Sequence, residues 1–254
     1  MQIDFSGHVA LVTGASRGIG RAVATRLADN GARVVVHYNT NAEAAAAVVA
    51  SLPGDDHFHV AADLGDPSAV AAMVDVVIER TGQVDILVNN AALYVEHPIA
   101  EVSYDEWVAA WRTTIDTNLI GTANVTFCVA QHMIARGAGR IVNVSSRGAF
   151  RGEPLFPAYG ASKAGLNSMG QSLAVALAPY GIGVATVAPG FVETDMAAPL
   201  LDGPDGDRIR AQSPFGRAAT PDEVAAVVVF LASPEAIFTS GTIVDVNGAS
   251  YLRP

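Results

Sequence analysis

A tyrosine and a lysine four residues apart form the most chemically informative pattern in this chain of 254 residues. Tyr159 and Lys163 stand in an Ala-rich segment of helical periodicity, so this spacing places both side chains on one helix face. A phenol with a pKa of ~10 is a weak acid and a rarely available base at neutral pH, but a neighbouring ammonium stabilises the phenolate. The pair therefore predicts proton exchange at the Tyr159 oxygen.

Two adjacent hydroxyl side chains precede this pair in the chain. Ser145 and Ser146 follow a β-branched run, Arg140–Val144, that predicts a strand. In open α/β sheets, ligands bind at the carboxyl ends of the strands, so both hydroxyls are expected at a ligand-binding edge. A serine at that edge can polarise a reacting carbonyl oxygen, and either residue is a candidate on position alone.

A glycine-rich turn near the start of the chain predicts a phosphate site. Thr13–Gly20 reads TGASRGIG, follows the predicted strand His8–Val12, and leads into the predicted helix Gly20–Asn30. Glycines let the backbone turn sharply and approach a pyrophosphate, whose charge is met by the helix N-terminus. A glycine turn between the first strand and the first helix therefore indicates a dinucleotide site.

The end of the second predicted strand bears on the choice of dinucleotide. An acidic side chain there would bond the adenosine 2′-hydroxyl and repel a 2′-phosphate, but the chain has Tyr38 and Asn39 and no carboxylate. Arg17, in the glycine turn, has the guanidinium fork that suits a phosphate. We therefore predict NADP(H) in preference to NAD(H), which stays possible; the alternative is that Arg17 is simply solvated.

These residues need a parallel sheet to position them. Short β-branched runs alternate with segments of helical period, which predicts one Rossmann-like, doubly wound α/β domain over residues 1–254, with about seven parallel strands and helices on both faces. The predicted strands are His8–Val12, Arg33–His37, His57–Ala61, Ile86–Asn89, Arg140–Val144, Gly183–Val187 and Ile243–Val246. The predicted helices are Gly20–Asn30, Asn41–Leu52, Pro67–Thr81, Asp105–Ala135, Ala158–Tyr180 and Pro221–Leu231, and Ala197–Arg217 is expected to be a mobile flap.

Composition argues against several classes of function. A net charge of -10 disfavours a nucleic-acid partner, and no apolar run approaches the length of a membrane span. Cys128, the single cysteine, is expected to be a small core residue, and the six histidines show no convincing metal-ligand spacing. With no secretory pattern at the N-terminus, we expect a cytoplasmic protein without a metal site.

Taken together, the motifs resemble the short-chain dehydrogenase/reductase family across essentially the whole chain. The resemblance rests on the glycine turn, Asn89–Ala92 after the fourth strand, Asn118, the Ser146/Tyr159/Lys163 set and Pro189-Gly190. It implies an NAD(P)-dependent oxidoreductase that transfers a hydride between nicotinamide and a small carbonyl or secondary alcohol.

The resemblance also implies a role for each catalytic residue. Tyr159 would be the acid in reduction and the base in oxidation, and Lys163 would also hold the nicotinamide ribose. Ser146, preferred over Ser145 by its thirteen-residue distance from Tyr159, would orient the substrate oxygen. Asn118 would keep a water that links Lys163 to solvent. The segment from Trp107 to this asparagine is about one helical turn longer than is usual in the family.

Cofactor contacts are implied along the carboxyl edge of the sheet, with Leu64 beside the adenine and Thr194 at the nicotinamide carboxamide. The full set is Gly14, Ser16, Arg17, Gly18, Ile19, Gly20, Tyr38, Asn39, Asp63, Leu64, Asn90, Ala91, Ala92, Tyr159, Lys163, Pro189, Gly190, Val192 and Thr194. A homotetramer, or a homodimer, is also implied, with the helices of 105–135 and 158–180 at one interface and the C-terminal segment at another.

The substrate is left open by the sequence. Candidate contacts are Tyr94, Ser146, Phe150, Arg151, Phe156, Phe191 and Met196. Arg147 and Arg151 follow the catalytic serine and would suit an anionic or strongly polar substrate, unless they are surface residues paired with Glu153 or a neighbouring subunit.

A 3-oxoacyl-acyl-carrier-protein reductase is the specific enzyme to consider. Family reductases that act on carrier-bound substrates often have arginines at the entrance, where this chain has Gly137 and Tyr180, with only Arg136 adjacent. A non-catalytic dinucleotide sensor is an alternative that has no need of the Ser, Tyr and Lys together. An epimerase or dehydratase usually carries a larger substrate domain.

Overall fold

The computed structural model describes residues 3–253, and the outermost positions of the expected domain, 1–2 and 254, lie outside the described residues. All strand pairs are parallel, and the sheet order is β3-β2-β1-β4-β5-β6-β7. The strands are β1 (Val9–Val12), β2 (Arg33–Tyr38), β3 (Phe58–Ala61), β4 (Ile86–Asn89), β5 (Gly139–Val144), β6 (Ile182–Pro189) and β7 (Ile243–Val246). The seven predicted strands are confirmed: β4 and β7 have the predicted bounds, and the ends of the others differ by at most two residues.

The helices cover both faces of this sheet. They are α1 (Gly18–Asp29), α2 (Ala42–Ser51), α3 (Pro67–Thr81), α4 (Tyr104–Ile115), α5 (Thr122–Arg136), α6 (Gly148–Arg151), α7 (Pro157–Leu177), α8 (Ala198–Leu201), α9 (Gly206–Arg210) and α10 (Pro221–Ala232). Short 3-10 turns span Ala178–Tyr180 and Pro234–Thr239. The region predicted as a flap, Ala197–Arg217, contains α8 and α9.

The long helix predicted over Asp105–Ala135 is not uniform. It continues from α4 into α5 through a π-helix, Asp116–Gly121, which contains Asn118. Short π-helical stretches inside α-helices occur frequently at functional sites, because they shift the register of the side chains that follow. The segment that the sequence marks as extended therefore ends in a local widening of the helix.

Two hydrophobic cores follow from the alternation of strand side chains. On one face, Val12, Val36 and Val88 pack with apolar residues of α1, α2 and α10. On the other face, Leu11 and Leu87 pack with apolar residues of α3, α5 and α7. Because both faces are covered, each strand presents apolar residues in both directions, which explains the nearly continuous β-branched runs in the sequence.

The strand order reverses between β1 and β4, which makes this point of the sheet the expected ligand crevice. Crossovers leave the two strands toward opposite edges, so the loops after them diverge and leave space above the strand ends. Within residues 3–253, no helix is long and apolar enough to cross a membrane. The same residues form no cluster of three or more histidine, cysteine or acidic side chains suited to a metal ion.

Candidate active site

A cleft of about 480 Å³ opens at this reversal point, above the carboxyl ends of the central strands. Most of the side chains that the sequence singled out lie along it. Those that line it are Gly14, Ser16, Arg17, Gly18, Ile19, Tyr38, Asn39, Leu64, Asn90, Ala91, Ala92, Tyr94, Ser146, Tyr159, Lys163, Pro189, Gly190, Phe191, Val192, Thr194 and Met196. The sheet therefore brings together residues from both halves of the chain.

The glycine turn has the backbone that a phosphate cradle requires. Gly14 and Gly18 have φ angles of +62° and +54°, in the left-handed region that other residues rarely adopt. Gly20 lies beneath the cleft without lining it, and a Cβ there would collide with the backbone oxygen of Gly14. The three glycines thus serve turn geometry and close packing.

The N-terminus of α1 is open to an anion. Its N-cap residue, Arg17, makes no side-chain cap, and the first turn contains no acidic residue. The unpaired N–H groups and the helix dipole favour negative charge at this position. The turn and the helix together fit the pyrophosphate of a dinucleotide.

Side-chain hydrogen bonds hold the glycine turn to the neighbouring strands. The Thr13 hydroxyl accepts hydrogen bonds from the backbone N–H groups of Asn90 and Ala91, at 2.9 and 3.0 Å. The Asn90 amide donates to the backbone oxygens of Thr13 and Gly14, at 2.9 and 3.0 Å. The turn after β1 and the loop after β4 are therefore fixed to each other.

His37 anchors the same turn from β2. Its Nδ1 accepts a hydrogen bond from the Gly14 N–H at 3.0 Å, so Nε2 carries the proton that it donates to the Ala62 oxygen at 3.1 Å. Burial lowers the pKa of His37 and keeps the ring neutral. No sequence motif marks His37 for this role, because both hydrogen-bond partners are distant from it in the chain.

At the adenosine end, no carboxylate follows β2. Tyr38 and Asn39 line the cleft, as does Arg17, whose side chain is 68% exposed. Asp195 lies 3.7 Å from this guanidinium, but an ion pair so exposed contributes little to stability. Arg17 is therefore available to a 2′-phosphate.

Tyr159, Lys163 and Ser146 meet at the other end of the cleft. The Lys163 Nζ lies 5.7 Å from the centre of the Tyr159 ring and donates to the Val144 oxygen at 2.8 Å. The Ser146 hydroxyl accepts from the Gly148 N–H at 3.0 Å and lies close enough to the Tyr159 phenol to lower its pKa. These contacts join the ends of β5 and α7 in one polar group.

Ser145 takes a different position from its neighbour. Its buried hydroxyl donates to the backbone oxygen of Lys163 at 3.2 Å. This bond ties the end of β5 to α7 without reaching the phenol. The geometry thus favours Ser146 over Ser145 as the hydroxyl that faces the reaction.

The acidities in this group differ from the sequence prediction. Burial raises the pKa of Tyr159 to about 12, and only the nearby Ser146 hydroxyl lowers it. Burial also lowers the pKa of Lys163 to about 8. Burial thus outweighs the predicted stabilisation of the phenolate by the ammonium in this state, in which Nζ bonds a backbone oxygen.

Asn118 lies behind the cleft and is fully buried. Its Oδ1 accepts from the Leu93 N–H at 2.7 Å, and its Nδ2 donates to the Leu93 oxygen at 2.9 Å and to Ser162 at 3.3 Å. The side chain therefore clamps the loop after β4 to the π-helix and α7. The water implied by the family resemblance stays a prediction.

Three of the candidate substrate contacts do not line the cleft. Phe150 lies under the Arg253 guanidinium near the C-terminal segment, and Arg151 is exposed and donates to Gln212 at 2.7 Å. Phe156 is buried and stacks on Tyr94, with ring centres 3.6 Å apart. None of the three reaches the cleft in this structure, because Phe150 and Arg151 belong to α6, which points them elsewhere, and Phe156 packs on Tyr94.

Asp63 also misses the cleft, since its carboxyl accepts a hydrogen bond from the Gly65 N–H within its own loop. Two side chains absent from the candidate contacts occupy the substrate end instead. Arg147 and Glu153 both line the cleft beside Tyr94 and Tyr159. Both charged residues are visible in the sequence, but no sequence pattern shows which side chains point into the cleft.

Comparisons with known proteins agree with this geometry. The family model described as enoyl-(acyl carrier protein) reductase matches residues 14–249. The 3-oxoacyl-[acyl-carrier-protein] reductase of Vibrio harveyi is 37% identical over 98% of this chain and 100% of its own length. The D-threitol dehydrogenase of Mycolicibacterium smegmatis is 38% identical over 100% of this chain and 98% of its own length.

Solved structures extend the agreement to three dimensions. A short-chain dehydrogenase from Burkholderia cenocepacia in complex with NADP has a TM-score of 0.87 at 37% identity, covering 96% of this chain and 98% of that one. A gluconate 5-dehydrogenase from the same species, in complex with NADP and tartrate, has a TM-score of 0.90 at 33% identity, covering 99% and 98%. With the expected fold and resemblance confirmed, the chain belongs to the short-chain dehydrogenase/reductase family of oxidoreductases.

Proposed function

We propose that this protein is an NADP(H)-dependent oxidoreductase that interconverts a small carbonyl compound and its secondary alcohol. The observation that carries the proposal is the meeting of Tyr159, Ser146 and Lys163 at one end of a cleft whose other end fits a dinucleotide. One catalytic domain, spanning residues 1–254, holds both ends.

In the direction of reduction, the carbonyl carbon would accept a hydride, which NADPH would supply when bound. Tyr159 donates its proton to the carbonyl oxygen, a role that suits a phenol whose raised pKa keeps it protonated at neutral pH. The Ser146 hydroxyl holds that oxygen beside the phenol. The Lys163 ammonium stabilises the phenolate that remains, and Asn118 keeps the supporting loop in place.

Turnover of carbonyl compounds tests this proposal against a dinucleotide sensor. Purified protein is expected to oxidise NADPH in the presence of at least one carbonyl from a panel of ketones, aldehydes and 3-oxoacyl thioesters. Tyr159→Phe removes the proton donor and should lower kcat by about 10²- to 10⁴-fold with the fold retained. Tyr104→Phe, at a 79% exposed position, is the control and should match the parent enzyme. NADPH binding without turnover of any carbonyl would instead support the sensor.

NADP(H) is the proposed cofactor because Arg17 faces the cleft and no carboxylate follows β2. Two similar structures that contain NADP support the choice. Arg17→Ala should weaken NADPH binding about tenfold, the contribution of one charge-assisted contact, with little effect on NADH. Arg21→Ala, on the exposed side of α1, is the matched control. Equal loss for both dinucleotides, or a parent enzyme that prefers NADH, would contradict the assignment.

A 3-oxoacyl thioester reductase is the second candidate, favoured by the similarity to the Vibrio harveyi enzyme. Against it, Arg136, the one arginine adjacent to the expected carrier-protein contact, is paired with Asp85 at 2.7 Å. The carbonyl panel decides between the candidates through the ratio of kcat/KM for S-acetoacetyl-N-acetylcysteamine and for unesterified ketones.

We also propose a homotetramer in the cytoplasm. Phe127 on α5 and Val175 on α7 are 65% and 78% exposed, and Phe238 and Leu252 are exposed near the C-terminal end. Large apolar side chains at the surface favour burial between subunits. Light scattering at micromolar concentration should give four times the mass of one chain, and a monomer would refute this.

A further inference from the structure

Arg147 is a buried cation that attracts the nearby Glu153 carboxylate but makes no direct ion pair with it. Only 5% of the residue is exposed, and none of the ion pairs within residues 3–253 includes it. In that part of the chain, its guanidinium makes one hydrogen bond, to the Ser250 hydroxyl at 2.8 Å, and lies 5.2 Å from the Phe191 ring centre. A guanidinium has five N–H donors, so most of its capacity is unused.

Its position connects this unused capacity to the reaction. Arg147 directly follows Ser146, lines the cleft, and is fixed by a backbone hydrogen bond to the Pro189 oxygen at 2.7 Å. Burying an unpaired charge is costly unless another group satisfies it. A bound molecule in the cleft can supply the missing acceptors.

Glu153 presents the complementary group on the same wall. Its half-buried carboxyl lines the cleft near Tyr94 and Tyr159, and burial raises its pKa. The side chain crosses directly over Gly148, where a Cβ would collide with the carboxyl group. The glycine therefore fixes where the acid lies, and the acid is an acceptor for hydroxyl groups.

The opposite signs of these groups limit what can bind. The Glu153 carboxylate would repel an anionic substrate, and the Arg147 guanidinium would repel a cationic one, because both side chains line the cleft beside the reacting group. An apolar acyl chain would strip water from both without replacing its hydrogen bonds. A neutral molecule with hydroxyl groups satisfies both, because each hydroxyl both donates and accepts.

We propose that Arg147 and Glu153 are specificity-determining residues for a neutral polyhydroxylated ketone and the corresponding polyol. Arg147 donates to a substrate hydroxyl, and Glu153 accepts from another. The inference rests on the proposed oxidoreductase function and narrows its substrate to this chemical class.

Ketones with a matched four-carbon chain or acyl group test the proposal. The probes are 1,3,4-trihydroxybutan-2-one, butan-2-one, the anion acetoacetate and the thioester S-acetoacetyl-N-acetylcysteamine, each with NADPH. Sites built to bond a hydroxyl discriminate strongly against analogues that lack it. The enzyme should prefer the trihydroxy ketone to butan-2-one by at least about 100-fold in kcat/KM.

Variants then assign the preference to the two residues. Glu153→Leu and Arg147→Met should each reduce the ratio of kcat/KM for these two ketones by about tenfold or more, chiefly through KM. Glu153→Gln keeps the shape of the side chain and should give a smaller reduction. Arg147→Lys keeps the charge with fewer donors and should also reduce the ratio, which covers the case in which Arg147→Met does not fold. Arg151→Met, an exposed arginine outside the cleft, is the control and should leave the ratio unchanged.

The failures of the two claims are distinguishable. Reduction of butan-2-one with no preference for the trihydroxy ketone, or a preference for acetoacetate or the thioester, would refute the inference alone. Equal loss of kcat/KM for both ketones in the Glu153 variants would show a structural role through Tyr94 and would also refute it. No NADPH oxidation with any of the four probes, while another carbonyl of the wider panel is reduced, would also refute the inference alone. No NADPH oxidation with any carbonyl of that panel would refute the proposed function and the inference with it.

Discussion

Different kinds of group line the cofactor half and the substrate half of the cleft. In the cofactor half, glycine backbone and small side chains line the wall, and Thr13, His37 and Asn90 fix them by hydrogen bonds. In the substrate half, large charged and aromatic side chains such as Arg147 and Glu153 project from loops. Where backbone lines the cleft, there is no room for an added Cβ. Where side chains line it, single substitutions can change the chemistry of the cleft.

This difference explains how one fold accommodates many substrates. A pyrophosphate is the same in every dinucleotide, so its cradle is made from backbone N–H groups that do not vary with sequence. Substrates differ, and the groups that contact them come from loops on a rigid sheet. Mutations should therefore abolish binding in one half and alter selectivity in the other.

Gly20→Ala is expected to have the largest effect in the cofactor half. The new Cβ would meet the backbone oxygen of Gly14 and lie 2.9 Å from the Ala15 Cα, so the turn must shift. We expect at least about 100-fold weaker NADPH binding, and overpacking should lower the free energy of unfolding by about 1–3 kcal/mol. Fluorescence titration with NADPH and urea unfolding measure the two effects.

Gly183→Ala is the matched control on β6, away from the cleft. Its nearest contact would be Ile237 Cδ1 at 3.0 Å, the end of a flexible side chain. It should lose some stability while it retains NADPH affinity. If Gly20→Ala also retains its affinity for NADPH, the glycine turn can accept an added Cβ, which would contradict the prediction.

Lys163 lies where the cofactor and substrate halves meet. Its titration is expected to have an effect of intermediate size, seen in the pH dependence of kcat/KM. Burial lowers the pKa of Lys163 to about 8, so its ammonium is present below that pH and is lost above it. Tyr159, with its pKa raised to about 12, keeps its proton across this range. The kcat/KM for reduction should therefore be level below about pH 8 and fall about tenfold for each pH unit above it.

Lys163→Arg provides the comparison for this profile, because an arginine stays charged to far higher pH. Its activity should be lower, since the guanidinium does not reproduce the Nζ contact with Val144, but it should not decline between about pH 8 and 10. A parent profile that is level to about pH 10 would show that Lys163 is not the titrating group.

The sequence predicts the fold correctly and most of the residues that line the cofactor half, for a physical reason. Strands buried on both faces leave β-branched runs, and a phosphate cradle needs glycines at fixed places, so both features are local and readable. The motif residues Gly14, Gly18 and Asn90 accordingly line the cleft.

The substrate half was less accessible, because side-chain direction there depends on tertiary structure. Arg147 and Arg151 look alike in the sequence, yet α6 turns the first into the cleft and the second toward Gln212. The acidity of Tyr159 was likewise misjudged, since burial is not visible in the spacing of Tyr159 and Lys163. His37 escaped notice because its partners, Gly14 and Ala62, are distant in sequence.

His37 gives the smallest effect and tests whether the cofactor half depends on its side-chain anchors. Burial lowers its pKa below the ordinary value of 6.5, and the Gly14 bond requires the neutral ring. Its stabilising contribution is therefore complete above pH 6.5 and is lost as the pH falls through and below that value. His37→Leu should be about 1–2 kcal/mol less stable than the parent at about pH 7.5, because two hydrogen bonds are lost.

The gap in stability between parent and variant should then narrow toward about pH 5, since only the parent has a histidine to protonate. Urea unfolding of both proteins at several pH values measures this difference in stability. The carboxylates titrate in both proteins, so their contributions cancel in the difference. A gap that stays constant would show that His37 has the same pKa in the folded and the unfolded chain, which would contradict the shift that burial causes. The bond from the Gly14 N–H would then stabilise the fold no more with a neutral ring than with a protonated one, and the cofactor half would not depend on this anchor.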